Sequence, residues 1–310
     1  MREFEQRSLT VRKLIWTGLL SALPFFAQPN EPSAERQSDS LAAGVRSQLD
    51  IAYAESSPAQ KLDLYLPGDD SGALRPALVV VHGGGWRGGD KQRGQWARIP
   101  AQYAQDGYVA ISVNYRLTGE APWPAQIEDV KAAVRWLRAH AEQFRVAPDR
   151  IGAYGNSAGA HLVALLGLVK EAEGLEGDGP NQDHSSLVQA VCASATPTDF
   201  LNLRVAGTVP ERLANTFLAG PKQTLRDRAR QASPISYAAG DAPPFLLVHG
   251  TADRTVPIEQ SNRFARALRE AGAKEVRYMI FDNEGHGVFG RQQLLTYPAM
   301  KAFFASALGR

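Results

Sequence analysis

The chain is nearly free of cysteine. Its single thiol, Cys192, sits inside the apolar run Val188-Gln-Ala-Val-Cys-Ala193, which excludes an intramolecular disulfide and reads as a small buried hydrophobe. Nothing near it in sequence would lower its pKa, so a cysteine nucleophile is disfavoured. Excess charge is also missing. The 34 Lys and Arg residues nearly balance 32 Asp and Glu, for a net charge of +2. Apart from the N-terminus they are scattered, which leaves no electrostatic footprint for nucleic acid or another polyanion. No HExxH motif and no Cys/His cluster at ligand spacing occurs, so no metal or other cofactor is called for. Internal repeats are absent, and no apolar run reaches the ~20 residues that a membrane span needs.

What is present fits one sizeable domain. A chain of 310 residues with 44% hydrophobic content can bury a single core. At its start, Arg2, Arg7, Arg12 and Lys13 precede the apolar stretch Leu14 to Ala27, and a polar run follows from Gln28 to Ser40. This order predicts a signal peptide over residues 1–27 and a secreted or periplasmic protein with no stable membrane insertion after processing. Phe25 stands where a small residue is preferred for cleavage after Ala27. Residues 28–48 are expected to be a linker and residues 49–310 the folded domain.

Strands are expected near Lys61 to Leu66, Ala77 to His82, Tyr108 to Tyr115, Arg150 to Tyr154, Val188 to Ala193, Pro244 to His249 and Val276 to Phe281. Most are continuous apolar runs, the pattern of strands covered on both faces. Helical spacing lies between them. Ile127, Val130, Val134 and Leu137 mark one face of a helix with Pro124 near its start, and another helix runs from Pro257 to Gly272. A third, from Tyr297 to Leu308, closes the domain. The alternation predicts an α/β fold with a mostly parallel, doubly wound sheet. Gly174 to Ser186 reads as a surface loop, and the region between Thr198 and Pro243 as a small insertion.

Chemistry enters with Gly155-Asn-Ser-Ala-Gly159, which follows one of the apolar runs and opens a helical one. That context fits a nucleophile elbow, in which Ser157 occupies a strained turn and glycines permit close strand–helix packing. Upstream, the run ending at Val81 continues His82-Gly83-Gly84-Gly85-Trp86. Glycines there let the backbone turn N–H groups of Gly83, Gly84 and Gly85, with that of Ala158, toward an oxyanion. A phosphate-binding loop would need Lys-Ser/Thr after the glycines, and Trp86-Arg87-Gly88-Gly89-Asp90 stands there instead.

Downstream, Asp253 follows the run ending at Val248, and His286 follows the run ending at Phe281. The order Ser157, Asp253, His286 is that of an α/β-hydrolase sheet. A serine hydroxyl is a weak nucleophile at neutral pH, so His286 would take its proton and Asp253 would orient the imidazole. Asp199 is the rival acid, but Asp253 lies on the strand next before the histidine; Asp282 is too close to His286 along the chain. His82 is expected to order its own glycine loop, and His161 and His249 to make local hydrogen bonds.

These motifs, together with Gly89-Asp90-Lys91, Asn114-Tyr-Arg-Leu117, Pro124 to Trp136 and His249-Gly-Thr-Ala-Asp253, resemble the bacterial esterase/lipase branch of the α/β hydrolases. The resemblance runs from about Ile51 to the C-terminus, and its group is the BD-FAE-like one, named for a bifunctional feruloyl and acetyl-xylan esterase. It implies hydrolysis of short-chain or aromatic acyl esters, free or on plant polysaccharides, with Ser157, Asp253 and His286 on the family's triad positions. Three positions depart from many relatives: Asn114 replaces an aspartate, Ala160 a second glycine, and Val288 an aromatic. A HGG-x-W loop is also similar to that of kynurenine formamidases, which makes an arylformamidase the first alternative. An exopeptidase of the prolyl-oligopeptidase type would bring a large extra domain, and an inactive binding scaffold would usually have lost a triad member.

Overall fold

The computed structural model describes residues 44–69, 72–203, 210–219 and 224–309. The expected signal segment lies outside them, as does most of the linker. The apolar runs form one sheet of eight strands: β1 (Val45–Ala52), β2 (Lys61–Pro67), β3 (Arg75–Val81), β4 (Val109–Val113), β5 (Val146–Asn156), β6 (Ala190–Ser194), β7 (Phe245–Gly250) and β8 (Val276–Phe281). Their order is β1-β2-β4-β3-β5-β6-β7-β8. β1 and β2 pair antiparallel, as do β2 and β4, and every later pair is parallel. Strands β4, β6 and β7 are buried along their whole length, because helices cover both faces and leave no room for polar alternation.

The linker boundary is corrected at its end. Residues 45–48 belong to β1, an edge strand paired from Val45↔Pro67 to Ala52↔Lys61. Its sequence, VRSQLDIA, has mostly exposed side chains. It therefore lacks the apolar run that marks the other strands, and backbone pairing to β2 defines it.

Helices α1 (Gln95–Gln105), α2 (Ala125–Ala139), α3 (Ala141–Phe144), α4 (Ala158–Leu168), α5 (Glu211–Asn215), α6 (Leu225–Gln231), α7 (Glu259–Glu270), α8 (Val288–Arg291) and α9 (Gln293–Ala307) flank the sheet. α2 is buried well beyond its apolar stripe: Lys131 and Arg135 have at most 1% of their surface exposed. The segment read as a surface loop carries the reason. Glu176 on it accepts hydrogen bonds from Lys131 and Arg135, and Arg138 donates to the Ser185 and Leu187 carbonyls. Buried cations of this kind are tolerated only when paired and fully hydrogen-bonded. Among the described residues no helix is long and apolar enough to cross a membrane.

Candidate active site

β3, β5, β7 and β8 all end at the same edge of the sheet, where an open α/β sheet presents its site. β5 runs directly into Ser157, which has φ 56° and ψ −120°, and α4 begins at the next residue. Such a backbone is costly for a residue with a Cβ. It is held by bonds on either side, with the Ser157 N–H donating to Ser194 O at 2.9 Å and the Ser157 carbonyl accepting from His161 N–H at 3.0 Å. The flanking glycines are sterically required. A Cβ on Gly155 would lie 2.4 Å from Gly159 C, and one on Gly159 would lie 2.1 Å from Val81 O.

Three expected residues meet. The Ser157 hydroxyl donates to His286 Nε2 at 2.9 Å, and His286 Nδ1–H donates to Asp253 Oδ2 at 2.8 Å. The distances fit the geometry required of a nucleophile, a base and the group that orients the base. Ser157 and His286 remain partly accessible, whereas Asp253 is buried. Burial pushes the Asp253 carboxyl up, but the His249 ring, with Nε2 3.4 Å from Oδ2, and hydrogen bonds from the His286 ring and Val256 N–H outweigh it. The net effect holds this acid well below the usual carboxylate range. Its other oxygen, Oδ1, accepts from Thr255 N–H at 2.8 Å and Val256 N–H at 3.0 Å.

The rival acid is elsewhere: Asp199 accepts from Asn202 Nδ2 at 2.8 Å and lies 3.7 Å from Arg263. Asp282 is exposed.

The loop after β3 lies against the elbow. A Cβ on Gly83 would approach Asn156 O to 2.8 Å and Ser157 Cβ to 3.5 Å. Gly84, Gly85 and Trp86 follow with φ of 126°, 62° and 59°. Among the described residues, no backbone hydrogen bond uses the N–H of Gly83, Gly84, Gly85 or Ala158. The Ala158 N–H is free because it opens α4, where the first turn has no partner inside the helix. Of the four, Ala158 follows Ser157 in the chain and Gly83 packs against it, which is where a donor to a developing negative charge is needed.

His82 orders this loop as expected, its Nδ1–H donating to Gly83 O at 2.8 Å. Two residues the sequence reading left without a role share the task. A Cβ on Gly89 would fall 2.3 Å from both Gly83 O and His82 Nδ1, and one on Gly84 would fall 2.0 Å from Gly88 O. The Gly88-Gly89 pair is the signal that the loop folds back on itself. Asn114 is explained too: its Oδ1 accepts from Lys91 N–H at 2.7 Å and its Nδ2 donates to Asp90 at 3.0 Å. A carboxylate there would face Asp90 with no proton to give.

His249 makes the local bonds expected of it, to Ser261 Oγ at 2.7 Å and to Val256 O at 2.9 Å. His161 reaches farther than expected. Its Nδ1 accepts from the Trp86 indole N–H at 3.2 Å, and its Nε2–H donates to Ala232 O at 2.7 Å. Burial drives its pKa down to about 3. The unfolded chain therefore binds a proton near pH 6.5 that the folded chain refuses until about pH 3. Wild-type stability should fall as pH drops through that window. The decline should be shallower in His161→Gln, as followed by urea unfolding at stepped pH.

Among the described residues no group of three or more His, Cys, Asp or Glu side chains is placed to hold a metal ion.

The family model BD-FAE matches residues 62–268. Esterase LipC of Mycobacterium tuberculosis is 32% identical over 76% of this chain, and Esterase LipQ of the same organism is 32% identical over 87% of it. The chain spans 53–61% of the length of the first curated relatives it matches. A solved structure described as a truncated form of a carbohydrate esterase from gut microbiota superposes with a TM-score of 0.76 at 30% identity, covering 86% of this chain and 97% of that one. The family model covers strands β3 to β7, the glycine loop and the elbow of this chain, and the chain belongs to the BD-FAE family of α/β hydrolases.

Proposed function

We propose that the protein is a serine carboxylesterase that hydrolyses short-chain or aromatic acyl esters through an acyl-enzyme. The observation that carries this reading is the unbroken relay from Ser157 through His286 to Asp253, at 2.9 and 2.8 Å. Ser157 Oγ attacks the ester carbonyl while His286 Nε2 takes its proton, and the carbonyl electrons move onto the oxygen. The N–H groups of Gly83, Gly84, Gly85 and Ala158 receive that charge. Collapse of the tetrahedral intermediate breaks the bond to the alcohol oxygen, which leaves with the proton from His286. Water then attacks the acyl-enzyme, again deprotonated by His286, and releases the acid and Ser157. Asp253 stays ionised throughout and steadies the imidazolium.

Preference for small acyl groups is supported by the space beside the glycine loop. Trp86, Phe200 and Phe217 pack there with ring centroids 4.3 to 5.6 Å apart, and each is buried. Rings packed this closely offer a long alkyl chain no cavity among themselves. Similarity to a carbohydrate esterase supports an ester carried by a sugar, and the charged and apolar order of residues 2–27 supports export of the protein.

Initial rates on nitrophenyl acetate, butyrate, octanoate and laurate, beside acetylated xylan, methyl ferulate and N-formylkynurenine, test this reading. The expected result is highest kcat/KM on acetate or butyrate, at least tenfold above laurate, with release of acetate from xylan. Faster turnover of N-formylkynurenine than of every ester would replace the reading with that of an arylformamidase.

A further inference from the structure

His161 lies one helical turn beyond Ser157 and takes no part in the relay, yet it is fully buried and joins three segments distant in sequence. Its backbone N–H bonds the Ser157 carbonyl at 3.0 Å. Its ring accepts from Trp86 Nε1–H at 3.2 Å and donates to Ala232 O, just after α6 in the insertion, at 2.7 Å. The Trp86 ring meets it edge-on, with centroids 5.3 Å apart and planes at 88°.

Trp86 is the residue that needs holding. Its φ of 59° is in the left-handed region, where a bulky side chain is strained, and it directly follows Gly84 and Gly85 in the same region. Freed from its anchors, Trp86 would relax toward negative φ. That rotation would turn the peptide planes that precede it in the glycine loop, and with them the N–H groups that the esterase reading assigns to the oxyanion. The anchors are packing on Phe217 at 4.3 Å and Phe200 at 5.6 Å, the Thr118 N–H bond to Trp86 O at 2.8 Å, and the indole bond to His161. Only the last ties the loop to the helix that carries the nucleophile.

We propose that His161 is a positioning residue, whose imidazole holds the Trp86 indole and so keeps the glycine loop in register with Ser157. This rests on the esterase reading above. The ring suits the task because its two nitrogens are committed to opposite roles, Nδ1 accepting and Nε2–H donating. A protonated ring would have no acceptor for the indole, and burial keeps the ring neutral down to about pH 3.

Trp86→Phe keeps an aromatic ring on Phe217 and removes the indole donor. With nitrophenyl acetate, kcat should fall about tenfold, the scale of one lost hydrogen bond, while KM stays within about twofold. The inhibition constant of a trifluoromethyl ketone, which forms a tetrahedral adduct with a serine, should rise by the same factor as kcat falls. A merely structural role would lower thermal stability without moving that constant. His161→Gln, which offers an amide oxygen and an amide N–H, should retain more kcat than His161→Leu, and this pair decides the matter if Trp86→Phe does not fold. Unchanged kcat and inhibitor affinity in folded Trp86→Phe, or equal kcat in folded His161→Gln and His161→Leu, would overturn the proposal. Ser157→Ala assayed alongside separates the two readings. If it remains active the esterase reading itself fails, and if it is inactive while the positioning variants are unimpaired only the role of His161 fails.

Discussion

Asp253→Asn should lower kcat by about 10⁴-fold while leaving the protein folded and KM little changed. The size of the effect follows from which atom the amide must place where. Oδ1 of Asp253 accepts two backbone N–H groups, from Thr255 at 2.8 Å and Val256 at 3.0 Å. In the asparagine variant the carbonyl oxygen has to take that position, because an NH₂ group there would oppose two donors. The NH₂ group is then left at the Oδ2 position, 2.8 Å from His286 Nδ1 and 3.4 Å from His249 Nε2. An N–H facing another N–H is repulsive, so His286 shifts its proton to Nε2. In that tautomer the imidazole donates toward Ser157 and cannot accept the hydroxyl proton. His249 cannot relieve the conflict, since its Nδ1 is committed to Ser261 and its Nε2–H to Val256 O. Steady-state kinetics with nitrophenyl acetate and a far-UV spectrum check both halves of the expectation. A loss of less than about tenfold would show that the carboxylate is not what orients the base.

The sequence made the relay legible because each of its members follows an apolar strand, and the strand ends are where an α/β sheet gathers its chemistry. Ser157, Asp253 and His286 lie far apart along the chain, but the order of the strands brings β5, β7 and β8 to one edge. The glycine loop was legible for a different reason, since consecutive glycines have few uses other than a backbone that turns sharply and exposes its N–H groups.

The parts that escaped the sequence depend on contacts between distant segments. β1 has no apolar signature because one edge strand needs only backbone partners. Glu176 looked like one more polar residue in a loop, and its function as the counter-charge for Lys131 and Arg135 exists only once α2 and that loop are packed together. Gly89 is needed because His82 occupies the space where its Cβ would go. His161 read as a local hydrogen-bonder, and its partners, Trp86 and Ala232, are brought to it from either side by the tertiary fold. Periodicity reports which face of an element is buried and is silent about which polar group it meets there.

The departures from related sequences follow the same logic. Asn114 is adjacent to the loop without belonging to the relay, and its amide serves one acceptor and one donor at once. The Asp90 carboxylate accepts the hydrogen bond from its Nδ2.

The central claim is that Ser157 is the nucleophile, and its most direct test is the initial rate of Ser157→Ala on nitrophenyl acetate. The substitution removes one oxygen from a strained turn, leaves the Ser194 and His161 backbone bonds intact, and should not unfold the protein. Turnover should fall by about 10⁵- to 10⁶-fold, with only the weak catalysis that binding and the N–H groups provide without a nucleophile. A folded Ser157→Ala protein that still hydrolyses the ester at more than about 1% of the wild-type rate would contradict the account.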